Sequence, residues 1–85
     1  MQKTANELEW VLYQRDDCHL CVLAVAELAA VRFPEFASVF IDDDTALEDL
    51  WGSSVPVLQH VSSGALLRWP FGVASLRDFL EAHAA

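Results

Sequence analysis

The chain has 85 residues, of which 54% are hydrophobic, and its 13 acidic and 5 basic side chains give a net charge of −8. A chain of this length builds one small hydrophobic core, so residues 1–85 are expected to form a single domain. The acidic balance and the lack of a basic patch argue against nucleic acid as a partner, and they disfavour binding to an anionic membrane surface.

The first nine residues are polar and contain no apolar run after their lysine, so they do not resemble a signal peptide. We expect residues 1–6 to be a frayed end. No apolar run in the chain reaches the length of a membrane-spanning helix. We therefore expect a cytoplasmic protein, and in that reducing compartment a lone cysteine pair is more often catalytic or metal-binding than structural.

The first part of the chain predicts a strand followed by a helix. Residues 10–13 form a continuous apolar block, which is typical of a strand covered on both faces. The helix over residues 18–31 is rich in alanine and leucine, with Asp17 as its expected N-cap and Pro34 beyond its end. Because few of its residues are polar, we expect this helix to be mostly buried, with its alanines on the outer side.

A second strand over residues 36–41 ends in three consecutive aspartates. Asp44, or a capping box begun by Thr45, is expected to cap a short helix over residues 45–51. Three adjacent carboxylates also suggest a calcium loop, but the positions that a loop starting at Asp42 would reserve for glycine and glutamate hold other residues. We favour a helix cap in a solvated turn.

The last part of the chain predicts a hairpin followed by a helix. Strands over residues 55–58 and 65–69 flank a Ser-Ser-Gly turn, and a helix over residues 73–83 carries one mostly apolar stripe. The predicted order is therefore β-α-β-α-β-β-α. The first strand–helix–strand unit should be parallel and right-handed and the last two strands antiparallel, which predicts an α/β fold with a four-stranded mixed sheet flanked by three helices.

The only two cysteines, Cys18 and Cys21, stand at the junction of the first strand and the first helix. Their spacing places both sulfurs on one face of a helix, and a small adjustment brings them within disulfide reach. Unpaired N–H groups and the positive end of the helix dipole favour a thiolate at a helix start, which makes Cys18 the candidate nucleophile. A Cys-x-x-Cys at a strand-to-helix turn is a redox motif.

Charges next to Cys18 act in both directions. Arg15 and a protonated His19 lower the pKa of the Cys18 thiol, whereas Asp16 and Asp17 raise it. We expect the positive contributions to prevail, because the helix N–H groups point at the sulfur and exposed aspartates are screened by salt. The competing interpretation of His19 is an exposed residue with no special partner.

Two other interpretations of the cysteine pair remain open. A zinc site would need further ligands, but there is no second cysteine pair, and His60 and His83 are isolated. The pair could also be inert core thiols, since free cysteine is commonly buried. The preceding strand and the following helix favour the redox interpretation.

The segment from Tyr13 to Cys21 resembles the glutaredoxin pattern Tyr-x-Lys/Arg-x-x-Cys-x-x-Cys, and Ser54-Val55-Pro56 resembles the Thr-Val-Pro of the same family. Together with the order of elements, these motifs make almost the whole chain similar to the glutaredoxin branch of the thioredoxin-like fold, and most of all to small bacterial glutaredoxin-like proteins. The resemblance implies that Pro56 is cis and faces the redox pair.

The resemblance also implies that Cys18 attacks and that Arg15 contacts a glutathione carboxylate. Val55 would then pair with the bound peptide through its backbone. The chain departs from the family in two places. Cys-Pro-Tyr-Cys is replaced by Cys-His-Leu-Cys, and the Gly-Gly-x-x-Asp segment keeps only Gly72, with Ser75 in place of the aspartate. We therefore expect weak glutathione binding.

Three functional hypotheses follow. The leading one is a monomeric thiol–disulfide oxidoreductase in which Cys18 attacks a protein disulfide and Cys21 resolves the mixed disulfide, with a reductant system as the second partner and no resident cofactor. Glutathione is a weakly supported reductant. The rival is a non-enzymatic redox-sensing or docking module. A third hypothesis has a metal or iron–sulfur cluster held between two chains by Cys18.

Overall fold

A computed structural model describes residues 8–83, which form one four-stranded sheet and three helices. The predicted order of elements and the α/β thioredoxin-like fold class are confirmed. The predicted frayed end at residues 1–6 lies outside the described residues. The strands are β1 Trp10–Gln14, β2 Ala37–Phe40, β3 Val57–His60 and β4 Leu66–Arg68, and the helices are α1 His19–Ala30, α2 Thr45–Trp51 and α3 Val73–His83.

The sheet has the strand order β2-β1-β3-β4. Strands β1 and β2 are parallel, so the chain crosses over between them through α1, whereas β1–β3 and β3–β4 are antiparallel. Strand β1 has a neighbour on both edges, which suits its continuous apolar sequence. The central cluster of buried side chains joins the sheet to α1 and α3 and contains Leu12, Ala24, Leu28, Leu58, Phe71 and Leu76.

The packing of α1 differs from the expectation that this helix is mostly buried. Cys21, Ala24 and Leu28 form its buried stripe. In contrast, Leu20 is 44% exposed and Val22 is 66% exposed. The expectation of burial was wrong, because only one narrow stripe of the helix meets the core. Ala26, Ala29 and Ala30 face outward as expected, whereas Ala24 faces the core and larger aliphatic residues share the outer face.

The other helices follow the sequence more closely. The Asp44 carboxylate accepts a hydrogen bond from the Leu47 amide at 3.1 Å and caps α2, as predicted. In α3, Leu76 is buried, and Phe79 and Leu80 are half-buried beside it. Within residues 8–83, no helix combines the length and the apolar character that crossing a bilayer requires.

Candidate redox site

The redox pair lies where β1 turns into α1. Cys18, not Asp17, is the N-cap of this helix, with extended backbone angles (φ −114°, ψ 107°). The Cys18 Sγ accepts a hydrogen bond from the backbone N–H of Cys21 at 3.2 Å. Asp17 has φ 55°, which is the left-handed region and does not fit the extended N-cap conformation. The predicted N-cap was therefore wrong by one residue, and the correction places a sulfur at the first turn of the helix.

Cys18 and Cys21 form a disulfide, and their Cα atoms are 5.2 Å apart. The two sulfurs have different access to solvent, because Cys18 is half-buried whereas Cys21 is only 2% exposed. A disulfide of another molecule can therefore approach Cys18 but not Cys21. This asymmetry suits an attacking and a resolving cysteine, in the order expected from the sequence.

Arg15, the predicted glutathione contact, is engaged inside the protein. Its Nη1 donates to Glu48 Oε2 at 3.1 Å, and its Nη2 donates to Glu48 Oε1 and to the Gly52 carbonyl oxygen, the latter at 2.8 Å. The hydrogen bond to Glu48 raises the pKa of the Arg15 guanidinium. The pair joins the β1–α1 loop to α2 and neutralises the arginine.

The remaining charges on this side of the redox pair are negative. The backbone N–H of Asp16 donates to Asp42 Oδ2 at 2.8 Å, which ties the loop to the end of β2. We call Asp16, Asp17 and Asp42, together with the paired Arg15, the acidic flank. Its members Arg15, Asp16 and Asp17 border a depression that also contains Cys18 and the exposed His19.

The segment before β3 lies on the other side of the redox pair. The Val55–Pro56 peptide bond is cis, and Pro56 is buried. The Val55 N–H donates to the Trp51 carbonyl oxygen at 3.2 Å, and the Trp69 N–H donates to the Pro56 carbonyl oxygen at 3.3 Å. Because the Val55 N–H is engaged, the backbone group of Val55 that remains available to a bound peptide is its carbonyl. The Trp69–Pro70 bond is also cis.

A groove of about 310 Å³ connects this segment to α1. It starts at Leu20, two residues after Cys18, and reaches the side chains of β4. We call it the hairpin groove, and its lining consists of Leu20, Ser53, Ser54, Val55, Arg68 and Trp69. The structure thus brings the redox helix and the cis-proline segment to one surface.

The corner at the start of α3 is closed by its own side chain. The Gly72 N–H donates to Ser75 Oγ at 2.9 Å, and the Ser75 hydroxyl lies 3.1 Å from the Gly72 carbonyl oxygen, to which it can donate. Ser75 thus occupies the amide that a glutathione carboxylate would use in the Gly-Gly-x-x-Asp arrangement.

Arg68 is the site residue that sequence reasoning missed. Its Nη1 donates to Ser54 Oγ at 3.1 Å, and its guanidinium carbon lies 5.7 Å from the centre of the Trp51 ring. Strand pairing places Arg68 opposite Val57, next to the cis-proline segment. A signal was present in the sequence, because the predicted hairpin brings its one arginine toward the residues around Pro56.

The histidines also differ from the expectation. The sequence predicts that His60 and His83 are isolated, but their rings are 5.4 Å apart. The fold brings the end of β3 next to the end of α3, which sequence distance alone does not reveal. Both rings belong to the end of the sheet that holds Trp10, whereas the redox pair follows the other end of β1. Among residues 8–83, no group of three or more side chains is arranged to hold a metal ion.

Comparisons with known proteins agree with this architecture. The family model described as "Glutaredoxin-like domain (DUF836)" matches residues 9–81. The X-ray structure of protein XcR50 from X. campestris has a TM-score of 0.82 and 55% sequence identity, and the match covers 86% of this chain and 96% of that chain. The solution structure of the same protein gives a TM-score of 0.81 and 53% identity, covering 88% and 95%.

A more distant relative has the same fold. The solution structure of protein Ne2328 from Nitrosomonas europaea has a TM-score of 0.71 and 25% identity, and the match covers 93% of this chain and 98% of that chain. No curated protein matches the chain.

Proposed function

The chain belongs to the glutaredoxin-like domain family (DUF836), and from that premise we propose that it is a thiol–disulfide oxidoreductase. One observation carries the proposal. The accessible Cys18 caps α1 and accepts the Cys21 N–H, while the partner sulfur of Cys21 is buried directly behind it. An N–H donor at a helix start stabilises a thiolate, which is the attacking form of cysteine.

The reaction proceeds in two exchanges. The Cys18 thiolate attacks one sulfur of a substrate disulfide, forms a mixed disulfide and releases the other substrate sulfur as a thiolate. The Cys21 thiolate then attacks Cys18 Sγ and releases the second substrate sulfur. The substrate gains two electrons and takes up two protons to become two thiols, and the protein is left with its Cys18–Cys21 disulfide. An external thiol or dithiol reductant restores the reduced form.

The proposed substrate is a protein disulfide, with glutathione at most a weak ligand. Glutathione would use the Arg15 guanidinium, the Val55 backbone and the Gly72 amide. Glu48 pairs with Arg15, the Trp51 carbonyl accepts the Val55 N–H, and Ser75 accepts the Gly72 N–H. A ligand would have to displace these internal bonds, which supports a substrate that binds mainly through other contacts.

Val55 and Pro56 are proposed to contact the substrate from the side opposite the acidic flank. The Val55 carbonyl accepts a backbone N–H of an extended substrate segment, and the cis bond to Pro56 lies beside it. A tuning role for His19, the monomeric state, the reductant system and the cytoplasmic location stay predictions from the sequence.

Two single substitutions test the proposal. Reduction of insulin disulfides is followed with the protein coupled either to glutathione and its reductase or to a thioredoxin-reductase system. We expect turnover with at least one system for the wild type and background rates for Cys18→Ser. Cys21→Ser should accumulate a mixed disulfide with the substrate, detected by mass spectrometry, because attack is intact but resolution is lost.

Three outcomes would overturn this assignment. Preferential alkylation of Cys21 in the reduced protein at neutral pH would show that the roles of the cysteines are reversed. A cysteine pair that opens and closes reversibly without turnover in either system would favour the redox-sensing module. An absorbance band of a cluster in freshly purified protein would favour the metal hypothesis.

A further inference from the structure

The hairpin groove contains a positive charge, Arg68, that has no role in the proposed disulfide exchange. Arg68 is exposed on β4. Among residues 8–83, it forms no ion pair with a carboxylate, which distinguishes it from Arg15. A guanidinium has five N–H donors, and the structure shows one nitrogen bonded to Ser54. The remaining donors are available to a molecule in the groove.

The Arg68 side chain is also held in place before any ligand binds. The Ser54 hydroxyl fixes one nitrogen, and the guanidinium lies 5.7 Å from the centre of the Trp51 ring. Such a contact favours a cation over the face of an aromatic ring. Because the side chain is already oriented, binding costs less conformational entropy than ordering a free arginine would.

The position of Arg68 relative to the cysteines determines which side chains of a substrate it can contact. The hairpin groove starts at Leu20, two residues from Cys18, and also contains Val55, whose carbonyl is available to an extended chain. A substrate segment that places its disulfide sulfur at Cys18 and follows this groove brings its neighbouring side chains to Arg68. On the other side of Cys18, the acidic flank repels carboxylates. A negative side chain of a substrate is therefore favoured only on the hairpin-groove side of Cys18.

We propose that Arg68 is a specificity-determining residue that binds an aspartate or glutamate side chain close to the disulfide of a protein substrate. The inference rests on the proposed oxidoreductase function and names the chemistry of the preferred substrate. A guanidinium binds a carboxylate through two parallel N–H donors, which gives orientation as well as attraction.

The test uses a series of peptides, each closed by one internal disulfide. The peptides are identical except for one residue near the reactive cysteine, which is Glu, Gln or Lys, and that residue is moved through two positions on either side. The second-order rate constant for oxidation of the reduced protein is measured for each peptide. The readout is the ratio of the Glu rate to the Gln rate, since a general defect in a variant lowers both rates.

For the wild type we expect a ratio of about two to five at one position, the range of an exposed ion pair. Arg68→Gln should bring this ratio to about one, and Arg68→Glu should make the Lys peptide the fastest. The matched control is Arg77→Gln, which removes an equal charge from an exposed position on α3. It should leave the ratio unchanged.

Distinct results separate failure of this inference from failure of the proposed function. If the wild type is oxidised by none of the peptides, the proposed function fails. Equal rates for all peptides would overturn only the role of Arg68, as would a ratio that survives Arg68→Gln or falls equally in Arg77→Gln. The rate constant with glutathione disulfide is measured as well. If Arg68→Gln slowed only that reaction, the role would also be overturned, because Arg68 would then bind a carboxylate of glutathione and not one of a protein substrate.

Discussion

The two sides of the redox pair each carry an arginine, and the two arginines are used differently. Arg15 stands three residues before Cys18, but Glu48 and the Gly52 carbonyl occupy its donors. Arg68 stands 50 positions after Cys18 in the sequence, yet it borders the hairpin groove, and among the described residues 8–83 its guanidinium donates only to the Ser54 hydroxyl. Proximity in sequence to the nucleophile therefore does not identify the arginine whose donors are left available for a ligand.

The difference follows from what surrounds each side chain. Arg15 lies between α2 and the end of β2, where acidic residues are close enough to satisfy it. Arg68 lies on an edge strand next to serines and an aromatic ring, which orient it without neutralising it. The first arginine fastens a loop that positions Cys18. The second leaves its charge available beside the cis-proline segment.

The largest expected effect of this arrangement is a loss of affinity for glutathione. Each charge-assisted hydrogen bond that a ligand fails to form costs about 1.5–3 kcal/mol, or about one to two decades in affinity. With Arg15 and the Gly72 amide engaged, we expect titration of reduced glutathione into the reduced protein to show no saturation below the millimolar range. Backbone amide shifts in NMR spectra are the measurement.

The positions of any shifted amides would test the comparison further. Saturable shifts at low glutathione concentration, centred on Arg15, Val55 and Gly72, would show that the internal bonds yield readily to a ligand. The same titration with Arg68→Gln is the control. If the wild type shows saturable shifts and the variant does not, Arg68 contributes to glutathione binding.

Ser75→Ala addresses the corner at the start of α3 and has an intermediate expected effect. The substitution removes the oxygen that accepts the Gly72 N–H, so the free energy of unfolding should fall by about 1 kcal/mol, the typical net contribution of one hydrogen bond. For a chain of this size, this corresponds to a melting temperature about 4–8 °C lower. Calorimetry is the measurement, and Ala74→Ser, at an exposed neighbouring position, is the control. An unchanged melting temperature would mean that the bond contributes little.

The sequence predicted the architecture well because most elements are marked by strong local signals. Continuous apolar runs marked β1 and β2, and the turn between residues 58 and 65 marked the hairpin. The cysteine spacing located the redox pair at the start of α1. These features depend on residues close together in the chain, which is why they were visible without a structure.

Other features depend on contacts between distant segments and were not predicted. The burial of α1 was overestimated because composition does not reveal how wide a stripe of the helix meets the core, which here is Cys21, Ala24 and Leu28. The pairing of Arg15 with Glu48 joins residues 33 positions apart. The one-residue error in the N-cap arose because the left-handed turn at Asp17 has no distinctive local signal.

Arg15→Gln should have the smallest effect on substrate selection, and it tests the comparison between the two arginines directly. The substitution removes the ion pair to Glu48, so the melting temperature should fall while the Glu-to-Gln peptide ratio changes less than twofold, because Arg15 does not border the hairpin groove. The paired substitution Glu48→Gln should lower the melting temperature in the same direction and leave the ratio equally unaffected. Rate constants for the peptide series and thermal unfolding of both variants provide the measurements.

A ratio that falls in Arg15→Gln as far as in Arg68→Gln would contradict the comparison, since both guanidinium groups would then contribute to one substrate contact. Preservation of the ratio together with a lower melting temperature would assign Arg15 to positioning the β1–α1 loop.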